Sequence, residues 1–283
     1  VHMFGPAGRL AALVVVTSVL PAPALPQNRE LHYVQSGGKP AAAAETLQSS
    51  IFDLRFRRGI SQRVLYVSPA APVAVIVMLP GGTGKIGLKA NGEVTHGDNF
   101  LVRTRDIWAR HGYAVIIPDT IDKSSLRGDR SSLPYAKIVV QLANFARSQA
   151  SAPVFLLGTS QGSIAAIDGA AHAPPGLISG VILTESVSRI GGSGESVFSA
   201  APEQVRVPAL IVANRADQCN VAPPSDAPRI AAAMKNSPDV HVEYVDGGKD
   251  RSPRACGSLT PHGYYGIETE VIDVIAHWID SHR

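Results

Sequence analysis

The stretch Pro153-Val154-Phe155-Leu156-Leu157-Gly158-Thr159-Ser160-Gln161-Gly162-Ser163-Ile164-Ala165-Ala166 decides the fold. Its first part is an unbroken apolar run, the pattern of a strand buried on both faces of a parallel sheet. Its last part opens a small-residue helix, expected over Ser163–Ala171. Between them stands G-x-S-x-G. The two glycines permit a tight, strained strand-to-helix turn that lifts the serine hydroxyl above the sheet. The helix behind it offers backbone N–H groups and a dipole that favours negative charge. Five residues of this kind arise easily by chance in a chain with 26 glycines, so the flanking strand and helix carry the inference.

The same alternation of strand and helix continues on both sides of this stretch. Strands are expected at Arg63–Val67, Val73–Leu79, Tyr113–Ile117, Val181–Leu183, Ala209–Ala213 and Val240–Val245. Helices are expected at Phe100–Arg110 with Asp98 or Asn99 as cap, Leu133–Ala150, Pro228–Lys235 and Gly266–Ser281. This is an α/β architecture: a mainly parallel central sheet with helices on both faces. In such sheets ligands bind beyond the carboxyl ends of the strands. The chemistry is therefore sought in the loop after each strand.

A serine nucleophile needs a base, and the base needs an orienting carboxylate. With an elbow of this type the chain order is serine, acid, histidine. Asp217 follows the strand ending at Ala213, and His262 lies between the last strand and the last helix. These are the expected acid and base. Glu185, after the strand ending at Leu183, is the main competitor for the acid. Asp246 and Asp250 follow the last strand, where the base is expected. His241 and His277 fall inside a strand and a helix pattern, and His96, His111 and His172 precede the acid. A pair of oxyanion donors completes the requirement: the N–H of Gln161 after the nucleophile, and one from Pro80-Gly81-Gly82-Thr83-Gly84, with Gly82 ahead of Thr83. The latter loop is no phosphate cradle, because its spacing misses G-x-x-x-x-G-K-[ST] and Ile86 follows Lys85.

The N-terminus reads as an export signal. A weakly basic start and the apolar run Leu10–Leu20 precede Pro21, and Ala22-Pro23-Ala24 supplies the small residues of a cleavage site. The expected organisation is a signal peptide over 1–24, an arm with one edge strand near Ile51–Phe56 over 25–58, and a catalytic domain over 59–283. That implies a secreted or periplasmic protein without a stable membrane anchor after cleavage. In an oxidising compartment the two cysteines, Cys219 and Cys256, are expected to pair. One lies two residues beyond Asp217 and the other six before His262, so the bridge would tie the acid loop to the base loop.

Net charge is only +3, and no nucleic-acid module or zinc-type Cys/His spacing is present in the sequence. The short basic spot around Arg55, Arg57 and Arg58 reads as a solvated strand or turn face.

With these residues in place, the chain resembles the α/β-hydrolase superfamily over nearly all of its mature length. The segments Asn99-Phe100-Leu101-Val102-Arg103 and Pro261-His262-Gly263-Tyr264-Tyr265-Gly266-Ile267-Glu268 look like those of small exported bacterial members. The resemblance implies a Ser160–His262–Asp217 triad, no metal and no organic cofactor. The oxyanion loop departs from the HGGG-type motif in lacking its histidine. The expected reaction is hydrolysis of a small-molecule carboxylic ester through an acyl-enzyme. The alternatives are a peptidase, amidase or acyltransferase with the same triad, or a non-catalytic binding protein on this fold. Only a short Gly/Ser-rich stretch separates Glu185 from Val207, leaving no room for a large lid. Arg103, Arg127, Tyr264 and Tyr265 are expected either at the site's rim or in packing and surface roles.

Overall fold

The structure is a computed structural model that describes residues 46–56 and 61–283. The expected signal peptide, the arm up to residue 45, and Arg57 and Arg58 of the basic spot lie outside the described residues. Eight strands form one sheet: β1 (Gln48–Arg55), β2 (Ser61–Ser68), β3 (Ala74–Leu79), β4 (Tyr113–Pro118), β5 (Val154–Thr159), β6 (Gly180–Thr184), β7 (Ala209–Asn214) and β8 (Val240–Val245). Their spatial order is β1-β2-β4-β3-β5-β6-β7-β8. β1 and β2 pair antiparallel, as do β2 and β4, and all other pairs are parallel. The edge strand expected near Ile51–Phe56 is therefore present, starting three residues earlier.

The buried strands divide their side chains between two cores by simple alternation. In β3, Val75, Val77 and Leu79 face one core, while Ala74, Ile76 and Met78 face the other. The first core is closed by α3 (Leu133–Gln149), α4 (Gly162–His172) and α5 (Ala227–Ala233), through Val139, Leu142, Ile164, Ile167 and Ile230. The second is closed by α1 (Phe100–Arg103), α2 (Arg105–Arg110) and α6 (Glu268–Ser281), through Phe100, Trp108, Ile275 and Ile279. Both faces are thus covered, as unbroken apolar strands require.

One expected helix is two. The run Phe100–Arg110 breaks at Thr104, whose hydroxyl donates to the Phe100 carbonyl at 2.6 Å and accepts from Trp108 Nε1 at 3.1 Å. A threonine that bonds back to the preceding turn bends a helix. Asn99, not Asp98, caps it by accepting from Leu101 N–H.

The chain reverses its direction of growth at β3, which pairs with β4 on one side and β5 on the other. Leu79, the last residue of β3, lies opposite Gly158. The loop leaving β3 and the turn leaving β5 therefore emerge side by side, at the switch point where open α/β sheets bind ligands. Between β6 and β7 the described residues hold only two short 3-10 turns, Val197–Ser199 and Pro202–Gln204, and no lid domain.

Candidate active site

Ser160 sits at φ 53°, a left-handed conformation that L-residues rarely adopt outside strained functional turns. The turn is possible because of its glycines. A Cβ at Gly158 would overlap the backbone of Gly162, and one at Gly162 would overlap the Leu79 carbonyl. The obstructing atoms are backbone, so neither position can relax cheaply. Gly162→Ala is expected to lower unfolding stability by about 1–3 kcal/mol through overpacking, measurable by urea titration. Gly81 is similarly constrained: a Cβ there would meet Thr159 O at 2.8 Å and Ser160 Cβ at 2.9 Å. Its absence lets the β3 loop rest directly on the elbow.

Ser160 Oγ lies 2.9 Å from His262 Nε2, and His262 Nδ1 lies 2.7 Å from Asp217 Oδ2. His262 and Asp217 are buried, whereas Ser160 is partly accessible. The second oxygen of Asp217 accepts from Cys219 N–H at 2.7 Å. The three residues expected from the sequence are thus brought together by the ends of β5, β7 and the β8–α6 connection. Glu185, the rival acid, makes no hydrogen bond to His262; its Oε1 accepts from Asn214 N–H at 2.9 Å. His241, His277 and His282 gather around a separate cavity between β8 and α6, away from Ser160. Glu185, Asp217 and His262 each offer an atom within 4.8 Å of the others, a spacing a cation would also accept. Both ring nitrogens of His262 are already engaged by Asp217 and Ser160, which does not suit metal ligation.

Cys219 and Cys256 form a disulfide across 37 positions of sequence. It ties the loop of Asp217 to the loop of His262. By the chain-entropy relation a closed loop of this length contributes about 4 kcal/mol. The double variant Cys219→Ser/Cys256→Ser is expected to lose stability of that order in urea unfolding.

Several further residues support the site, and of these the sequence singles out only Arg103. Buried Asn214 donates from Nδ2 to the Gly247 and Pro261 carbonyls at 2.9 and 3.0 Å, joining the acid loop to both ends of the base loop. Thr260 Oγ1 accepts from His262 N–H at 3.1 Å. Arg103 pairs with Glu268 at 3.0 Å and donates to the Ser258 and Gly263 carbonyls, clamping the base loop from α1. Arg130 is buried and donates to Pro80 O at 3.1 Å and Gln161 Oε1 at 3.2 Å, bridging the β3 loop and the elbow. Burial holds both guanidinium groups below the usual arginine range.

A cleft of about 320 Å³ opens over Ser160 and His262. Its walls come from the β3 loop (Gly81, Gly82, Thr83, Lys85), the segment Thr95–Phe100, and Cys256, Ser258 and Gly263. Gly82 has φ 59° and open space where a Cβ would stand. Neither the Gly82 nor the Gln161 backbone N–H has a partner among the described residues. Of the four residues expected at the rim or in packing, none lines the cleft. Tyr264 is fully buried and donates to Val212 O at 2.9 Å, and Tyr265 accepts from Arg251.

The fold recurs in solved structures. The chain superposes on a dienelactone hydrolase from Anabaena variabilis with TM-score 0.60 at 13% identity, covering 83% of this chain and 98% of that one. An esterase from Pyrococcus furiosus gives TM-score 0.61 at 11% identity, over 89% and 98%. An α/β serine hydrolase homologue from Coxiella burnetii gives 0.54 at 15%, over 80% and 95%. No sequence family model matches the chain, and no curated protein sequence matches it significantly. The protein has the α/β-hydrolase fold.

Proposed function

We propose that this protein is a serine hydrolase that cleaves a small carboxylic ester through an acyl-enzyme. The observation that carries the reading is the continuous hydrogen-bond chain from Ser160 through His262 to Asp217 at the mouth of a cleft. Ser160 Oγ attacks the ester carbonyl while His262 Nε2 takes its proton. Asp217 fixes the tautomer in which Nδ1 carries hydrogen and stabilises the imidazolium that forms. The oxyanion accepts hydrogen bonds from the Gly82 and Gln161 N–H groups, with the positive end of α4 behind them. His262 then protonates the departing alkoxide. Water, deprotonated by the same nitrogen, releases the acid and restores Ser160.

The cleft lining favours a compact, polar substrate. Among the described residues Phe100 is the one large apolar side chain in it, and Lys85, Thr83, His96 and Asn99 supply polar groups. An exported location is the reading of the apolar leader at Leu10–Leu20 and is supported by the disulfide, which persists in oxidising compartments. No helix among the described residues is long and apolar enough to cross a membrane. The test is a panel of matched ester, amide and thioester substrates with the purified protein. The reading expects ester turnover with a pre-steady-state burst of the alcohol. Cleavage of the amide alone would replace the esterase with a peptidase or amidase.

A further inference from the structure

Behind the candidate triad lies a carboxyl that the acyl-transfer mechanism does not use. Glu185 is 1% exposed and sits at the end of β6 in a left-handed conformation, φ 45°. A fixed backbone thus turns its side chain under the acid loop. One of its oxygens lies within 4.8 Å of both an Asp217 oxygen and a His262 ring nitrogen. Oε1 accepts from Asn214 N–H, but Oε2 is fully buried and unpaired, because the neighbouring Tyr264 hydroxyl gives its proton to Val212 O at 2.9 Å. As an acceptor, that atom is an orphan beside a second carboxylate. As an O–H, it needs only an acceptor, and the neighbouring Asp217 has lone pairs to spare: it uses one bond at each oxygen, and a carboxylate accepts about four.

We propose that Glu185 and Asp217 form one carboxylic acid–carboxylate pair, in which Glu185 keeps the proton and donates it as a hydrogen bond to Asp217. The inference rests on the triad reading for its catalytic meaning, and makes Glu185 a positioning residue. Two like charges this close cannot both ionise in a buried site. The titratable groups facing Glu185 are Asp217, His262 and Tyr264. Burial and then the Asp217 charge push the Glu185 carboxyl well above the usual carboxylate range. Burial, with Glu185 and Asp217, likewise pushes the Tyr264 phenol up, so it stays neutral. The arrangement has a consequence for the base. A second negative charge beside His262 would favour the imidazolium and leave less free base to activate Ser160. A neutral Glu185 anchors Asp217 without adding that charge.

The test reads the proton directly. In wild-type protein labelled with carboxyl-¹³C glutamate, infrared spectra at neutral pH are expected to show one protonated glutamate, absent in Glu185→Gln. Should that variant not fold, Glu195→Gln replaces it. Glu195 is the other buried glutamate among the described residues, but it accepts from Gly128 N–H, Ser131 N–H and Ser131 Oγ, so the band is expected to survive its loss. A wild-type spectrum with only ionised glutamates overturns the proposal, and so does a band that vanishes in Glu195→Gln. In kinetics, Glu185→Gln, which still donates, should keep the acid limb of kcat/KM within about 0.3 pH unit of wild type. A fall of a unit or more would mean that Glu185 carried charge, and would also overturn it. Glu185→Leu should lower kcat about tenfold or more with KM unchanged; an unchanged kcat would remove the positioning role. If wild type shows no turnover at all, the hydrolase reading fails while the infrared result still stands by itself.

Discussion

Replacing Ser160 by alanine, or His262 by alanine, is expected to reduce kcat for an activated ester by about 10⁴–10⁶, with little change in KM. In the proposed mechanism the nucleophile and its base act as a unit, so the double variant should be scarcely worse than either single one. The fold should survive. Ser160 is only partly buried, and its backbone bond from N–H to Thr184 O at 2.8 Å does not depend on the hydroxyl. The measurement is steady-state hydrolysis of a p-nitrophenyl ester, with circular dichroism as the control. Additive losses in the double variant would point to two independent contributions instead of a coupled pair.

The second large effect is expected at Asp217. Asp217→Asn keeps the shape of the side chain but offers an N–H where His262 Nδ1–H needs an acceptor. The imidazole is then held in the wrong tautomer, and kcat is expected to fall by about 10⁴. The Cys219 N–H bond to Asp217 survives only if the amide oxygen takes the place of Oδ1, which fixes the unhelpful N–H toward His262. His262 is itself buried, which leaves the ring little room to turn away. Activity close to wild type in this variant would move the acid role to Glu185.

Local causes are legible in a sequence and distant ones are not. The elbow is legible because its causes are adjacent: a buried apolar strand, two glycines and a small-residue helix within twenty positions. Asp217 and His262 are legible at one remove, because their places after β7 and before α6 follow from the order of elements. The disulfide is legible because the chain has two cysteines in all. The supporting residues are not. Arg103 reaches Gly263 across 160 positions, Asn214 reaches Pro261 across 47, and Arg130 joins loops 50 and 31 positions away. Each looks like an ordinary loop or helix residue until the sheet order places its partners. Thr104 is the converse case. Its apolar neighbours follow a helical period without interruption, yet its own hydroxyl breaks the helix. Glu185 stands out in the sequence as a carboxylate in a catalytic position, but only the packing distinguishes an acid that touches His262 from one that stands behind Asp217.

The proposed mechanism stands on Ser160 being a nucleophile activated in a preformed site. The most direct measurement is labelling of the purified, folded protein with a fluorophosphonate, followed by mass spectrometry of the modified peptide. A single covalent adduct is expected on Ser160, absent in Ser160→Ala and strongly slowed in His262→Ala. A folded wild-type protein that remains unlabelled, or that carries the adduct on another residue, would contradict it.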